Sequence, residues 1–320
     1  MPTATEAKSP PTSFLGQVKK GKIITPHIFM VYGPEGEGKT KLVSEAPRPI
    51  LLEGEDGSNE LDVERLPKPE TWADVKAMMA ELINSPHDYK TLGIDTMDWL
   101  EPILWRHICK EYGVKTIEQV EKGFGKGFGI AVDYWRDDLY APLLELRKKR
   151  GVSTFLLAHH KAKDFNDPAA TSAYARYNVG LQDGPTYSAA KFWREAVDGL
   201  FFLNRDVMVA GKDKGARGID NGTRFLFTER RPGWDAKNRL GLPEKIMLPL
   251  GGSYKALMDA IEAANSDDPD VLIRQIKGLV EHLAVPEQRE TVAKRLVEYG
   301  KDSTQLKVRR GKIEMILGAA

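Results

Sequence analysis

Eight residues near the start of the chain, Gly33-Pro34-Glu35-Gly36-Glu37-Gly38-Lys39-Thr40, carry the spacing G-x-x-x-x-G-K-[ST] with every fixed position filled. The pattern constrains the fold because it works only between a strand and a helix. Upstream, His27-Ile28-Phe29-Met30-Val31-Tyr32 is a short apolar run that predicts a buried strand. Downstream, Lys41-Leu42-Val43-Ser44-Glu45-Ala46 opens a helix that Pro47 stops. Between them, glycines let successive backbone N–H groups face inward, and the helix N-terminus adds its positive end. Strand, loop and helix together predict a phosphate cradle running from Gly33 to Lys41. In such a cradle Lys39 reaches the β- and γ-phosphates of ATP, and the Thr40 hydroxyl ligates Mg²⁺.

Composition narrows the rest. A chain of 320 residues, 41% of them apolar, predicts one large domain with a small appendage. A net charge of +1 gives no global field, so any nucleic-acid surface must be local. Cys109 is the single cysteine, which excludes an internal disulfide and a cysteine-rich zinc site and suits a reducing cytoplasm. No apolar run approaches membrane-spanning length.

Along the chain, residues 1–20 are rich in Pro, Thr, Ser and Lys and predict a flexible tail. Ile50-Leu51-Leu52 predicts a second strand, ending in the acidic Glu53-Gly54-Glu55-Asp56-Gly57. Trp72, Val75, Met78, Met79, Leu82 and Ile83 recur at helical spacing after a Thr71 cap. Thr91–Asp95 is an apolar strand closed by an acid, followed by a helix from Met97 to Tyr112. The glycine-rich 123–129 segment and the stretch 161–190 predict loops, with a long helix over 131–150 and a strand over 152–158 between them. Further strands are expected at 200–203, 207–209, 223–227 and 246–248, the last three as antiparallel additions. Three short helices follow a boundary near 264–269, so a core over 21–264 is expected to precede a small helical unit over 265–320. The whole predicts an α/β fold around a mostly parallel central sheet.

Bound Mg²⁺ needs a carboxylate at a strand end, and Asp95 fits that role beside Thr40. Hydrolysis also needs a group that orients or deprotonates water. Two sets of acids offer one: Glu53, Glu55 and Asp56 after the second strand, and Asp98 and Glu101 after the third.

Taken as an ordered series, these features resemble the RecA-fold ATPases, and are similar to phage-encoded ATPases of the single-strand annealing and recombination type. The resemblance runs over residues 23–262. It rests on Gly33–Thr40, Leu52-Glu53-Gly54-Glu55, Ile94-Asp95, the 123–129 segment, Leu157-Ala158-His159-His160-Lys161 and Trp234-Asp235-Ala236-Lys237-Asn238-Arg239. It implies a RecA-like core in which Glu55 positions the attacking water and His160, where the family usually has glutamine, senses the γ-phosphate. It implies that Lys237 and Arg239 reach a neighbouring subunit's nucleotide, as an arginine finger does. It also implies single-stranded DNA as partner, gripped through Lys122, Phe124, Lys126 and Phe128 and, in a second loop, through Lys161, Lys163, Arg176 and Tyr177. A homo-oligomeric ring or filament, a single-strand-binding protein as accessory, and the cytoplasm of a phage host complete the expectation. Two other readings of the same motif are a helicase-loader or packaging-type ATPase acting on a protein, and a nucleotide-binding assembly module with little turnover.

Overall fold

A computed structural model of the chain describes residue 18, residues 25–55, 57–165, 172–210 and 217–266, and parts of 269–313, without the side chains of 206–221. Its centre is a ten-stranded sheet. The strand expected before the glycine loop is β1 (Ile28–Gly33), buried at all six positions. Its neighbours are β5 (Ser153–Phe165) on one side and β7 (Gly199–Ala210) on the other, both parallel to it. Beyond β5 lie β4 (Thr91–Asp95), β2 (Pro49–Glu53) and the short β3 (Glu64–Arg65), again parallel. Beyond β7 the sheet turns antiparallel through β8 (Arg217–Phe227) and β10 (Lys245–Leu248), while β9 (Lys237–Asn238) pairs with the start of β7. This is the α/β core around a mostly parallel sheet with antiparallel additions that the sequence led us to expect.

Helices cover both faces because a sheet buried on both sides must be apolar on both. Helix α1 (Lys39–Ser44) packs Leu42 and Val43 with Phe29, Val31, Phe155 and Leu157 on one face, where α7 (Ser253–Asn265) adds Leu257 and Ile261. On the other face lie α2 (Trp72–Asn84), α3 (Met97–Glu111), α4 (Lys126–Tyr134) and α5 (Ala141–Arg150), with α6 (Ala189–Ala196) beside them. Thr71 and Asp74 close a reciprocal capping box at the start of α2. The apolar spacing read from Trp72 to Ile83 is the buried stripe of that helix. Past residue 268, Leu272, Ile276, Val292, Leu306 and Ile313 gather in an apolar cluster of their own.

Two segments expected as loops are ordered elements. Residues 161–165 prolong β5 beyond the central sheet and pair antiparallel with β6 (Tyr174–Val179), from His160↔Val179 to Phe165↔Tyr174. The alternation there is masked in the sequence by the lysines and arginine that occupy strand positions. The 123–129 segment is half turn and half helix. Glu121, Lys122, Gly123, Phe124 and Gly125 all have positive φ, and α4 begins at Lys126. That start lies five residues before the expected helix, and its Gly127 packs against Ile117 and Val120, where any Cβ would stand 2.2 Å from the Ile117 carbonyl oxygen.

Candidate active site

The parallel strands β1, β2, β4 and β5 run the same way, so their C-terminal ends deliver Gly33, Glu53, Asp95 and His159 to one edge of the sheet. From Gly33 the chain curls through the glycine loop into α1. Gly38 is in the left-handed region at φ 91°, a conformation that L side chains rarely adopt. Lys39 is buried, and its Nζ donates to the carbonyls of Gly33 (3.0 Å) and Pro34 (2.8 Å), across the mouth of the loop. Burial pulls its ammonium below the usual lysine range, against the opposing pull of Asp95, Asp98, Glu55 and Glu35. Four carboxylates therefore act on the lysine at this edge, and a polyanion brought there calls for an accompanying cation.

Thr40 and Asp95 lie side by side at this edge. The Thr40 hydroxyl donates to Asp95 Oδ2 at 2.6 Å, joining the first turn of α1 to the end of β4. Asp95 is buried, and burial raises its carboxyl above the usual range, although the Thr40 hydrogen bond and Lys39 pull the other way. A desolvated carboxylate paired with a hydroxyl is a donor set that suits Mg²⁺, which takes one or two carboxylates and completes its shell from phosphates and water. Thr40 and Asp95 would hold it.

Beyond β2 the ladder continues one step, Gly54 N–H donating to the Asp95 carbonyl at 2.8 Å. Glycine is required here because a Cβ would lie 2.8 Å from Cβ of Trp99. This step carries Glu55 to the same edge as Asp95. Glu55 is half-buried, and burial raises its carboxyl, with His159 acting against the shift. Glu53 turns away and pairs with Arg65 at 3.2 Å. Asp56 lies outside the described residues.

The two acids of α3 have other occupations. Asp98 accepts from the His159 backbone N–H (2.9 Å) and meets His159 Nδ1 at 2.7 Å. Glu101 is buried and accepts the Gln182 N–H with both oxygens, at 3.1 and 3.0 Å. Burial pushes the Glu101 carboxyl up to about 7. With Asp98 steering the ring, His159 Nε2 points toward Glu55 (3.7 Å) and Glu35 (3.9 Å), at the mouth of the glycine loop.

The structure thus brings His159 to this edge where the sequence singled out His160. Side chains alternate along a strand, so adjacent residues cannot share a face. His160 turns to the other side, edge-on to Tyr177 with ring centroids 5.1 Å apart. Lys237 and Arg239 are also placed differently from a projecting finger. Lys237 Nζ is enclosed by the carbonyls of Arg194 (2.7 Å), Glu195 (2.8 Å) and Val197 (2.7 Å), capping the C-terminus of α6. Burial, helped by Arg239, lowers its ammonium to about 8. Arg239 stays exposed, with one bond to the Glu195 carbonyl at 3.2 Å.

Of the residues expected to touch a partner strand, Lys122, Phe124 and Lys126 are exposed, and the Phe124 ring stands 95% open to solvent. Phe128 is not available for stacking: it packs edge-on to Trp105 at 5.5 Å, because the helix start turns it inward. In the β5–β6 hairpin, Lys161 donates to the Leu181 carbonyl and Lys163 to Asp183. Arg176 is buried with its guanidinium 4.4 Å from the Phe165 ring centroid, and Tyr177 stacks on Phe202 at 5.3 Å. These contacts tie the hairpin to the segment after it and, through Tyr177, to β7.

Two arginines escaped the sequence reading. Arg205 and Arg224 stand opposite each other in the β7–β8 ladder. Arg205 Nε meets Glu37 Oε2 at 3.1 Å, and Arg224 donates to the Glu37 carbonyl at 2.9 Å. No local signal marks them, since they lie far from the motif they touch.

The geometry meets its relatives at the same segment. A family model described as AAA domain matches residues 25–240, more than half of the chain. The SPbeta prophage-derived uncharacterized protein YorG of Bacillus subtilis (strain 168) is 26% identical over 166 residues, 50% of this chain and 47% of that protein. The chain therefore spans about half the length of this relative. The crystal structure of the RadB recombinase aligns over 70% of this chain and 86% of its own, with 13% identity and a TM-score of 0.36. Among the described residues no helix is long and apolar enough to cross a membrane. The glycine loop, Asp95, Glu55 and His159 all fall within the matched span, and the chain belongs to the AAA-domain family.

Proposed function

We propose that this P-loop protein is an Mg²⁺-dependent ATPase that binds single-stranded DNA, assembles into a homo-oligomer and acts in phage recombination by annealing or strand exchange. The observation that carries the ATPase reading is the convergence of Lys39, the Thr40–Asp95 pair, Glu55 and the Asp98–His159 pair on one sheet edge. Bound Mg²⁺ supplies charge neutralisation for the triphosphate. Lys39 leaves the Gly33 and Pro34 carbonyls for phosphate oxygens. Glu55, with its carboxyl raised by burial, takes a proton from the attacking water. His159, oriented by Asp98, faces the γ-phosphate position.

The last role yields a direct comparison of neighbours. A His159→Ala protein is expected to turn over ATP at least about tenfold more slowly, the loss of one hydrogen bond to a charged group, while His160→Ala stays within about twofold of wild type. Steady-state ATPase rates of the two variants decide it. Equal rates would return His159 to a purely structural place beside Asp98.

The single-stranded-DNA reading is supported by the turn over 121–125. It holds an exposed phenylalanine between Lys122 and Lys126, on a turn of five consecutive residues of positive φ. An aromatic flanked by cations is what sequence-tolerant strand binding uses. The phage setting is supported by the prophage origin named for the relative. The separate apolar cluster beyond residue 268 supports a small helical unit over 265–320 after a core over 21–264.

The test is ATP turnover with and without single-stranded DNA. Stimulation supports the reading, unstimulated turnover favours an ATPase working on a protein partner, and absence of turnover favours an assembly module. A Phe124→Ala protein is expected to bind single strands about 5- to 150-fold more weakly, the worth of one base–aromatic stack. Replacing Lys122 and Lys126 should instead lower the salt slope by about 0.7 per lost phosphate contact. Unchanged titrations in both variants would take this turn out of the DNA surface.

A further inference from the structure

A phosphate cradle needs its amides turned inward, so the carbonyls of the same residues must turn outward and find donors elsewhere. In this chain the outward carbonyl at the crest of the loop is that of Glu37, and its donor is a buried guanidinium. Arg224 Nη1 bonds it at 2.9 Å across a sequence separation of 187 residues. The same guanidinium reaches the Pro249 carbonyl through Nη2 at 2.8 Å. Arg224 is 8% exposed, and a Cβ added at Gly38 would sit 2.3 Å from its Nη1. The loop backbone and the guanidinium are thus in contact with no space between them.

Pro249 is itself fixed. Its carbonyl also accepts from Ser253 Oγ at 2.9 Å in the first turn of α7, and the Tyr254 N–H donates to Glu45 Oε2 at 3.2 Å, at the end of α1. The segment 249–254 therefore grips α1 at its far end through Glu45 and the glycine loop at its near end through Arg224. On the outer side the Glu37 carboxylate is drawn to Arg205. The whole of Glu37, carbonyl and side chain, is held away from the phosphate pocket.

We propose that Arg224 is a positioning residue for the phosphate cradle, tying the Glu37 carbonyl to the Pro249 turn so that the amides of Gly36–Thr40 face inward before nucleotide arrives. The proposal rests on the ATPase reading above and deepens it. Because the cradle amides meet phosphates common to ATP and ADP, the loss falls on both nucleotides alike. Preorganisation spares the ligand the cost of ordering the loop, so its loss appears in affinity.

The experiment compares wild type with Arg224→Gln, Arg224→Lys and Thr228→Val, measuring ADP and ATP affinity by competition with a fluorescent ADP analogue, KM, kcat and thermal unfolding. Arg224→Gln is expected to weaken both nucleotides by the same factor, about 10- to 100-fold, the worth of a charge-assisted hydrogen bond, with KM rising by that factor and kcat falling far less. Arg224→Lys keeps the charge but offers its donors from a single nitrogen in place of the two-nitrogen fork, and is expected to show a rise of about three- to tenfold. Thr228, buried one residue past the end of β8 and bonded through its hydroxyl to the Pro243 and Glu244 carbonyls away from the loop, reports general destabilisation. Its valine variant should unfold at lower temperature with KM unmoved. Should Arg224→Gln fail to fold, Arg224→Lys decides alone, and a folded lysine variant with wild-type KM overturns the proposal. A loss confined to kcat, or a Thr228→Val protein whose KM rises as much, also overturns it. If wild type itself binds neither nucleotide, it is the ATPase reading that fails.

Discussion

A Glu55→Gln protein is expected to bind ATP as wild type does and to hydrolyse it about 10²- to 10⁴-fold more slowly, the range for losing a positioned general base. The amide matches the carboxylate in shape and keeps its place beyond β2, but it cannot take a proton. Glu55 is suited to the task because burial makes its carboxyl more basic than an ordinary one while leaving it half-exposed beside His159. Single-turnover hydrolysis with a parallel binding titration measures both halves of the expectation. Glu101→Gln is the control, since Glu101 is buried against the Gln182 N–H and the amide oxygen can still accept that bond. If Glu101→Gln stops hydrolysis and Glu55→Gln does not, the base lies on α3.

For Lys39→Ala the expected result is loss of binding itself, with ATP and ADP affinity falling by at least about 100-fold because two or more charge-assisted hydrogen bonds disappear together. The environment adds to the loss. Glu35, Glu55, Asp95 and Asp98 all act on the Lys39 ammonium, and without it the four carboxylates face an incoming polyphosphate with no fixed cation among them. Calorimetric titration with each nucleotide, in buffer with Mg²⁺, reads the change directly. Binding within about threefold of wild type would remove Lys39 from its phosphate role.

The places where the structure departs from the sequence reading share a cause. His159 and His160 are adjacent and chemically identical, and only the pleat of β5 sends one to Asp98 and the other to Tyr177. Phe124 and Phe128 look equivalent in a glycine-rich stretch, yet a helix that starts at Lys126 buries one against Trp105 and leaves the other in solvent. Lys237 reads as a free cation until the C-terminus of α6 is placed beneath it, three carbonyls deep.

What the sequence determined by itself is whatever depends on neighbours a few residues away. The presence of the glycine loop is written in its own residues and the helix that follows, the Thr71 cap needs only Asp74, and the apolar strands need only their composition. Those interactions are short-ranged in the chain, so their signature is a local pattern. The tertiary structure alone decided which face each polar side chain takes and which distant groups meet. Arg224 and Glu37 touch across 187 residues, and Asp98 and His159 across 61. Such contacts are set by strand order and by the alternation of side chains across a packed sheet, which exist only once the whole sheet has formed.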